Sequence, residues 1–149
     1  MLADLVGMTA RAPLRLSRVD EGKGLGRVGP VERVERAALI ERIKRGLGLD
    51  HVLVAGPTEG TVDRVAVGAG SCGDLVKEVL AAGAGLYLTG EMRHHDALKA
   101  AGAGLTVVCA LHSNSERVTL ARLADRLRTE LPGLGLSLSV ADRDPFAVR

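Results

Sequence analysis

The sequence predicts an α/β fold: a single three-layer domain with a mostly parallel sheet and an antiparallel or edge strand near the C-terminus. Three observations lead there. From residue 52 onward short apolar runs alternate with amphipathic stretches of helical length, the pattern of parallel strands joined by right-handed crossovers. The run over 105–111 is apolar except for Thr106, as suits a strand covered on both faces. Leu136-Ser137-Leu138-Ser139-Val140 instead alternates apolar and polar residues, which predicts a strand with one wet face at a sheet edge.

Taken in order, residues 1–30 lack sustained periodicity and end in a stretch rich in turn formers, with Gly22, Gly24, Gly26, Gly29 and Pro30. They read as an irregular junction, and 31–149 as the α/β lobe. Over 31–47 the apolar residues Ile40, Ile43 and Leu47 recur at helical spacing, with Gly48 placed to end the helix. A short strand over 52–55 stops at Gly56-Pro57. There follow a strand over 64–67, a glycine-rich loop over 68–73, a helix over 74–82 and a strand over 86–88. The Thr89-Gly90 turn, a helix over 91–101, the strand over 105–111, a helix over 115–131 and the edge strand over 136–140 complete the chain.

Composition narrows the function classes. A chain of 149 residues, 46% apolar and 26% charged, fits one domain with a buried core. Tyr87 and Phe146 are its two aromatic residues and the net charge is +2. Nucleic acid is therefore not a favoured partner, since neither base stacking nor a strong basic field is available. The central apolar run falls far short of the roughly 20 residues of a membrane span, and Met1-Leu2-Ala3-Asp4 lacks the basic flank of a secretory signal. The expected location is the cytoplasm, with Cys72 and Cys109 as reduced thiols.

In a parallel α/β sheet, ligands bind at the rim formed by the loops leaving the carboxyl ends of the strands. Three polar clusters fall at such exits, so parallel strands would bring them together. In His112-Ser113-Asn114-Ser115-Glu116 an imidazole at a strand end and a carboxylate in the first helical turn can reach one divalent cation. Spacing alone favours a plainer alternative, a capping box made by Ser113 and Glu116. In the Thr89-Gly90-Glu91-Met92-Arg93-His94-His95-Asp96 cluster, neighbouring histidines on a helix point about 100° apart, so one of the pair at most faces a site. Gly68-Ala69-Gly70-Ser71-Cys72-Gly73 spells a dinucleotide-binding pattern between a strand and a helix, with Glu91 further on as the acidic residue. Asp74, at the helix start, would compete with a bound pyrophosphate for the same amides. A second match at Gly24, Gly26 and Gly29 has no strand before it. Cys109 reads as a small core residue and His51 as a surface one.

Together Gly24-Leu25-Gly26-Arg27-Val28-Gly29, Arg64-Val65-Ala66-Val67-Gly68-Ala69-Gly70-Ser71, Tyr87-Leu88-Thr89-Gly90-Glu91-Met92-Arg93-His94-His95-Asp96-Ala97, His112-Ser113-Asn114-Ser115-Glu116 and Asp144-Pro145-Phe146 resemble, in order, the second half of the GTP cyclohydrolase 1 type 2 homolog family, also called Nif-three-like. The resemblance runs from about Glu21 to Phe146. It implies dinuclear-metal proteins in which two α/β lobes enclose a pair of ions and the subunits form ring-like hexamers. It also implies that His112 and Glu116 are this lobe's metal ligands, with Thr89, Gly90 and His95 lining the same cavity. The family's first half supplies a tandem histidine followed by proline, and an aspartate. Here His94-His95 is followed by Asp96, so the chain reads as a short member, a fragment, or a chain whose start lies downstream of the true one.

The expected function is that of a metal-binding lobe with an incomplete site, binding zinc, manganese or iron weakly or not at all by itself, because durable zinc sites use three or four protein ligands. Hydrolase activity is expected only if missing ligands, such as those of an N-terminal lobe, complete the site; no residue is assigned a catalytic role. The alternatives are a dinucleotide-binding module using Gly68, Gly70, Gly73 and Glu91, and a non-catalytic lobe that forms homo-oligomers.

Overall fold

A computed structural model describes residues 1–20 and 22–147. Glu21, where the resemblance begins, and residues 148–149, the end of the expected lobe, lie outside the described residues. The elements are α1 (Leu2–Leu5), β1 (Arg15–Leu16), β2 (Gly24–Leu25), β3 (Arg27–Glu35), α2 (Arg36–Leu47), β4 (Leu53–Ala55) and β5 (Thr61–Gly68). A 3-10 turn (Cys72–Leu75), α3 (Val76–Ala81), β6 (Leu86–Thr89), α4 (His94–Gly102), β7 (Thr106–Cys109) and α5 (His112–Glu130) follow. Strands β1 and β2 form a small antiparallel ribbon. The other five form one mixed sheet in the order β3-β5-β6-β7-β4.

The alternation of strands and helices is as the sequence predicts, and it yields parallel pairing where a helix carries the chain back: β5 with β6 through α3, and β6 with β7 through α4. The expectation of a mostly parallel sheet needs correction. Two ladders are parallel and two antiparallel, with β3 against β5 and β4 against β7. The antiparallel edges come from upstream segments, because hydrophobic period identifies a strand without giving its direction or its neighbour. The edge strand expected over 136–140 is absent: that segment has no ladder partner, and Leu138 and Val140 stand exposed. Leucine and serine alternation suits a half-wet strand, but among the described residues the edges of the sheet are β3 and β4 and the segment pairs with neither.

The helix expected over 31–47 begins at Arg36, and the residues before it are strand β3. Two features hide β3 in the sequence. Its register shifts between Pro30 and Val34, so the buried Val28 and Val31 fall out of a two-residue period. Pro30 also reads as a strand breaker, yet a residue without an N–H is tolerated on an edge.

Where the period is clean, the faces sort as expected. Val65, Val67, Leu86, Leu88 and Val108 join Leu39, Ile40 and Ile43 of α2 and Leu2 of α1 in one apolar cluster. Ala66, Tyr87 and Val107, the intervening residues, join Val76 and Val79 of α3 and Ala100 of α4 in another. Helices thus cover both faces, and Val118 of α5 rests against the first cluster. At the sheet's far end from the rim, the Arg36 guanidinium donates to the Gly85 carbonyl and the Thr106 hydroxyl, tying α2 to the starts of β6 and β7.

Gly48 ends α2 as predicted, in the left-handed conformation at φ 66°. Its N–H bonds the Arg45 carbonyl and that of Leu49 the Lys44 carbonyl, the paired bonds of a Schellman motif. No atom stands where a Cβ would lie, so Gly48→Ala isolates the backbone conformation. Urea unfolding should show a loss of about 1–2 kcal/mol.

Candidate functional site

The parallel register sets Gly68, Thr89 and Cys109 side by side at the ends of β5, β6 and β7. Their exits converge as the sequence predicts. After β5 the chain turns at Gly70 with φ 65°. There the Gly70 N–H donates to Ser115 Oγ at 2.8 Å, and the Gly70 carbonyl accepts from the Glu91 N–H at 3.0 Å. The Ser115 hydroxyl in turn donates to the His112 carbonyl at 2.7 Å. A Cβ on Gly90 would fall 2.5 Å from the Gly70 oxygen and 2.7 Å from Ser115 Oγ, so glycine there lets the second exit lie against the other two.

Helix α5 begins at His112, earlier than the sequence suggests, and Leu111 precedes it with φ 68° and ψ 157°. This backbone region is close to glycine-only and costs a leucine about 1–3 kcal/mol. Among the described residues it is the one non-glycine with positive φ. The start at His112 also removes the capping box. Ser113 Oγ donates to Asp144 Oδ2 at 2.7 Å, and neither Ser113 nor Glu116 stands at the positions such a cap requires. Arg117 binds Asp142 through two nitrogens, at 2.7 and 3.0 Å. The tail thus straps the first turns of α5, and the partners hold Asp142 and Asp144 below the ordinary carboxylate range.

The result is an imidazole between two carboxylates. His112 Nδ1 lies 3.0 Å from Glu91 Oε2, and His112 Nε2 lies 3.5 Å from Glu116 Oε1. All three side chains are about half exposed. The bond to Glu91, with the charge of Glu116 adding to it, raises the imidazole above its usual range against a smaller desolvation effect. A Cβ on Gly70 would stand 2.7 Å from Glu116 Oε1 and 3.2 Å from His112 Nε2. Beside Glu91 opens a cleft of about 460 Å³, lined also by Ser71, Gly73, Asp74, Met92 and Arg93.

The sequence-predicted residues fall into groups. His112 and Glu116 meet, Gly70 closes over them, and Gly90 seats the loops. Thr89 is fully buried, its hydroxyl without a hydrogen-bond partner among the described residues. His95 lies exposed at the start of α4, its ring edge-on to His94 at 5.7 Å, and no hydrogen bond among the described residues joins it to His112. Glu91, read from the sequence as a nucleotide-binding acid, is the partner of His112. Sequence reasoning missed Ser115 and Leu111. A serine one turn after a histidine is a faint signal for the first, and nothing in the sequence marks the second.

Cys72 and Cys109 are free, and burial pushes both thiols up, that of Cys109 to about 11. Among the described residues no three His, Cys, Asp or Glu side chains gather so as to hold an ion, and no helix is long and apolar enough to cross a membrane.

Comparison with known proteins places the chain in a family. The Duf34/NIF3 (NGG1p interacting factor 3) family pattern matches residues 1–145. NIF3-like protein 1 of Rattus norvegicus is 45% identical over 131 residues, which are 84% of this chain and 34% of that one. The GTP cyclohydrolase 1 type 2 homolog of Lactococcus lactis is 31% identical over 147 residues, 97% of this chain and 55% of that one. Among solved structures, reduced HcgD from Methanocaldococcus jannaschii superposes with a TM-score of 0.70 at 28% identity, covering 87% of this chain and 50% of that one. The chain therefore spans between about a third and about half the length of these relatives. Matched over residues 1–145, the chain belongs to the Duf34/NIF3 family.

Proposed function

We propose that the chain supplies one half of a divalent-metal site, with His112 Nε2 and the Glu116 carboxylate as its ligands. The supporting observation is the direction of the imidazole. An ionised carboxylate only accepts hydrogen bonds, so Glu91 at 3.0 Å keeps the proton of neutral His112 on Nδ1. That leaves the Nε2 of the neutral ring facing Glu116 Oε1 at 3.5 Å, two electron-rich atoms that either a proton on Nε2 or a cation between them would hold together. Two ligand atoms each 2.1 Å from a tetrahedral zinc ion stand about 3.4 Å apart. A carboxylate behind a metal-binding histidine is the usual means of fixing its tautomer.

Two ligands leave most coordination positions to water, so the isolated chain binds zinc, manganese or iron weakly. A cation completed by ligands from elsewhere would act as a Lewis acid toward a phosphate ester or a ring carbon; the chain by itself turns over neither. Titration with manganous ion, followed by paramagnetic broadening, should broaden the His112 and Glu116 signals first, and His112→Ala should remove the effect. Broadening centred elsewhere, or indifferent to that substitution, refutes the reading. Tight stoichiometric binding abolished by His112→Ala would mean that the chain holds more of the site than is proposed.

Three observations weigh against the dinucleotide reading. The Gly70 N–H is already given to Ser115, and Glu91 is turned to His112. The helical segment after Gly70 is a 3-10 turn followed by a helix of six residues, a poor platform for a pyrophosphate.

A further inference from the structure

We propose that Ser115 is a positioning residue whose hydroxyl fixes the direction of the His112 imidazole. The inference rests on the metal reading for its purpose, but its geometry does not. Ser115 is fully buried, unlike the partly exposed residues on either side of it. One oxygen serves two loops: it accepts from the Gly70 N–H at 2.8 Å and donates to the His112 carbonyl at 2.7 Å. Gly90 lies so near that a methyl there would meet the same oxygen at 2.7 Å. The hydroxyl is thus where all three strand exits touch.

The connection to the imidazole runs through Gly70. Its carbonyl holds the Glu91 N–H at 3.0 Å, and Glu91 holds His112 Nδ1. With Ser115 removed, the Gly70 N–H is buried without a partner and the loop shifts to satisfy it. Glu91 then loses its anchor, and the imidazole its fixed tautomer. Ser115 touches neither a metal nor a substrate; it acts by holding the groups that do.

The test uses imidazole nitrogen NMR of the whole chain at a pH where His112 is neutral, together with the manganous titration. In the unsubstituted chain the Nδ1–H tautomer should dominate. In Ser115→Ala the two tautomers should mix and manganous affinity at His112 and Glu116 should fall roughly tenfold. Ser113→Ala, which breaks only the bond to Asp144, should change neither readout. A general loss of stability does not alter the tautomer of the folded protein, so the first readout separates positioning from mere support. If Ser115→Ala does not fold, Ser115→Cys keeps the volume and supplies a weakly bonding thiol for the same measurement. An unchanged tautomer in a folded Ser115 variant overturns the proposal, whatever the metal does. Mixed tautomers with no manganous broadening in the unsubstituted chain would uphold it and refute the metal reading instead.

Discussion

Gly70→Ala is expected to weaken the response of His112 and Glu116 to divalent cations severely while leaving the chain folded. The added Cβ would lie 2.7 Å from Glu116 Oε1 and 3.2 Å from His112 Nε2, inside the contact distance of both proposed ligand atoms. The carboxylate ends a flexible side chain and can swing aside, so the damage falls on ligand placement more than on packing. The backbone adds to it, since φ 65° at this residue costs an alanine about 1–2 kcal/mol. Broadening by manganous ion should weaken by more than tenfold, and urea unfolding should record the smaller loss of stability. Unaltered broadening in Gly70→Ala would mean that Glu116 is no ligand, and the half-site would reduce to a lone histidine.

Tyr87→Ala should produce the largest loss of stability. Tyr87 is fully buried in the middle strand, where its ring fills the cluster between the sheet, α3 and α4. Its hydroxyl donates to the Cys72 carbonyl at 2.7 Å and would stand 2.6 Å from a Cβ on Gly68, so the space is filled to the rim. Truncation of a buried aromatic ring costs about 3–5 kcal/mol, which for a domain of this size lowers the melting temperature by about 10 °C or more. Tyr87→Phe separates the two contributions: the ring stays, the Cys72 carbonyl loses its partner, and the cost should be about 1–3 kcal/mol. Calorimetric melting of the two variants checks both values. Equal losses would place the energy in the hydrogen bond and not in the ring.

How far the sequence could be read depended on which interactions leave a periodic trace. β5, β6 and β7 were legible because each is a short apolar run followed by a helix, and their exits, once parallel, had to converge. β3 was not, because a register shift displaces Val31 from the alternation begun at Val28. The Leu136 to Val140 alternation misled for the opposite reason: it has a strand's period without a neighbour to pair with. At the site, His112 and Glu116 carry their chemistry in their identities and spacing. Ser113 and Glu116 spell a capping box equally well, and only the start of α5 at His112 rules that box out. The role of Glu91 was hidden because its spacing also fits a nucleotide-binding pattern, whereas its partner lies 21 residues away, beyond α4 and β7.

The bonds at Gly70 have a consequence for motion. A loop fastened to one neighbour can flex by itself, but Gly70 is fastened through its amide to Ser115 and through its carbonyl to Glu91. Displacing Gly70 breaks both bonds at once, so the segments on either side of it lose their anchor together. A ligand arriving at this edge of the sheet would meet two populations, latched and unlatched, and would act by changing their proportions.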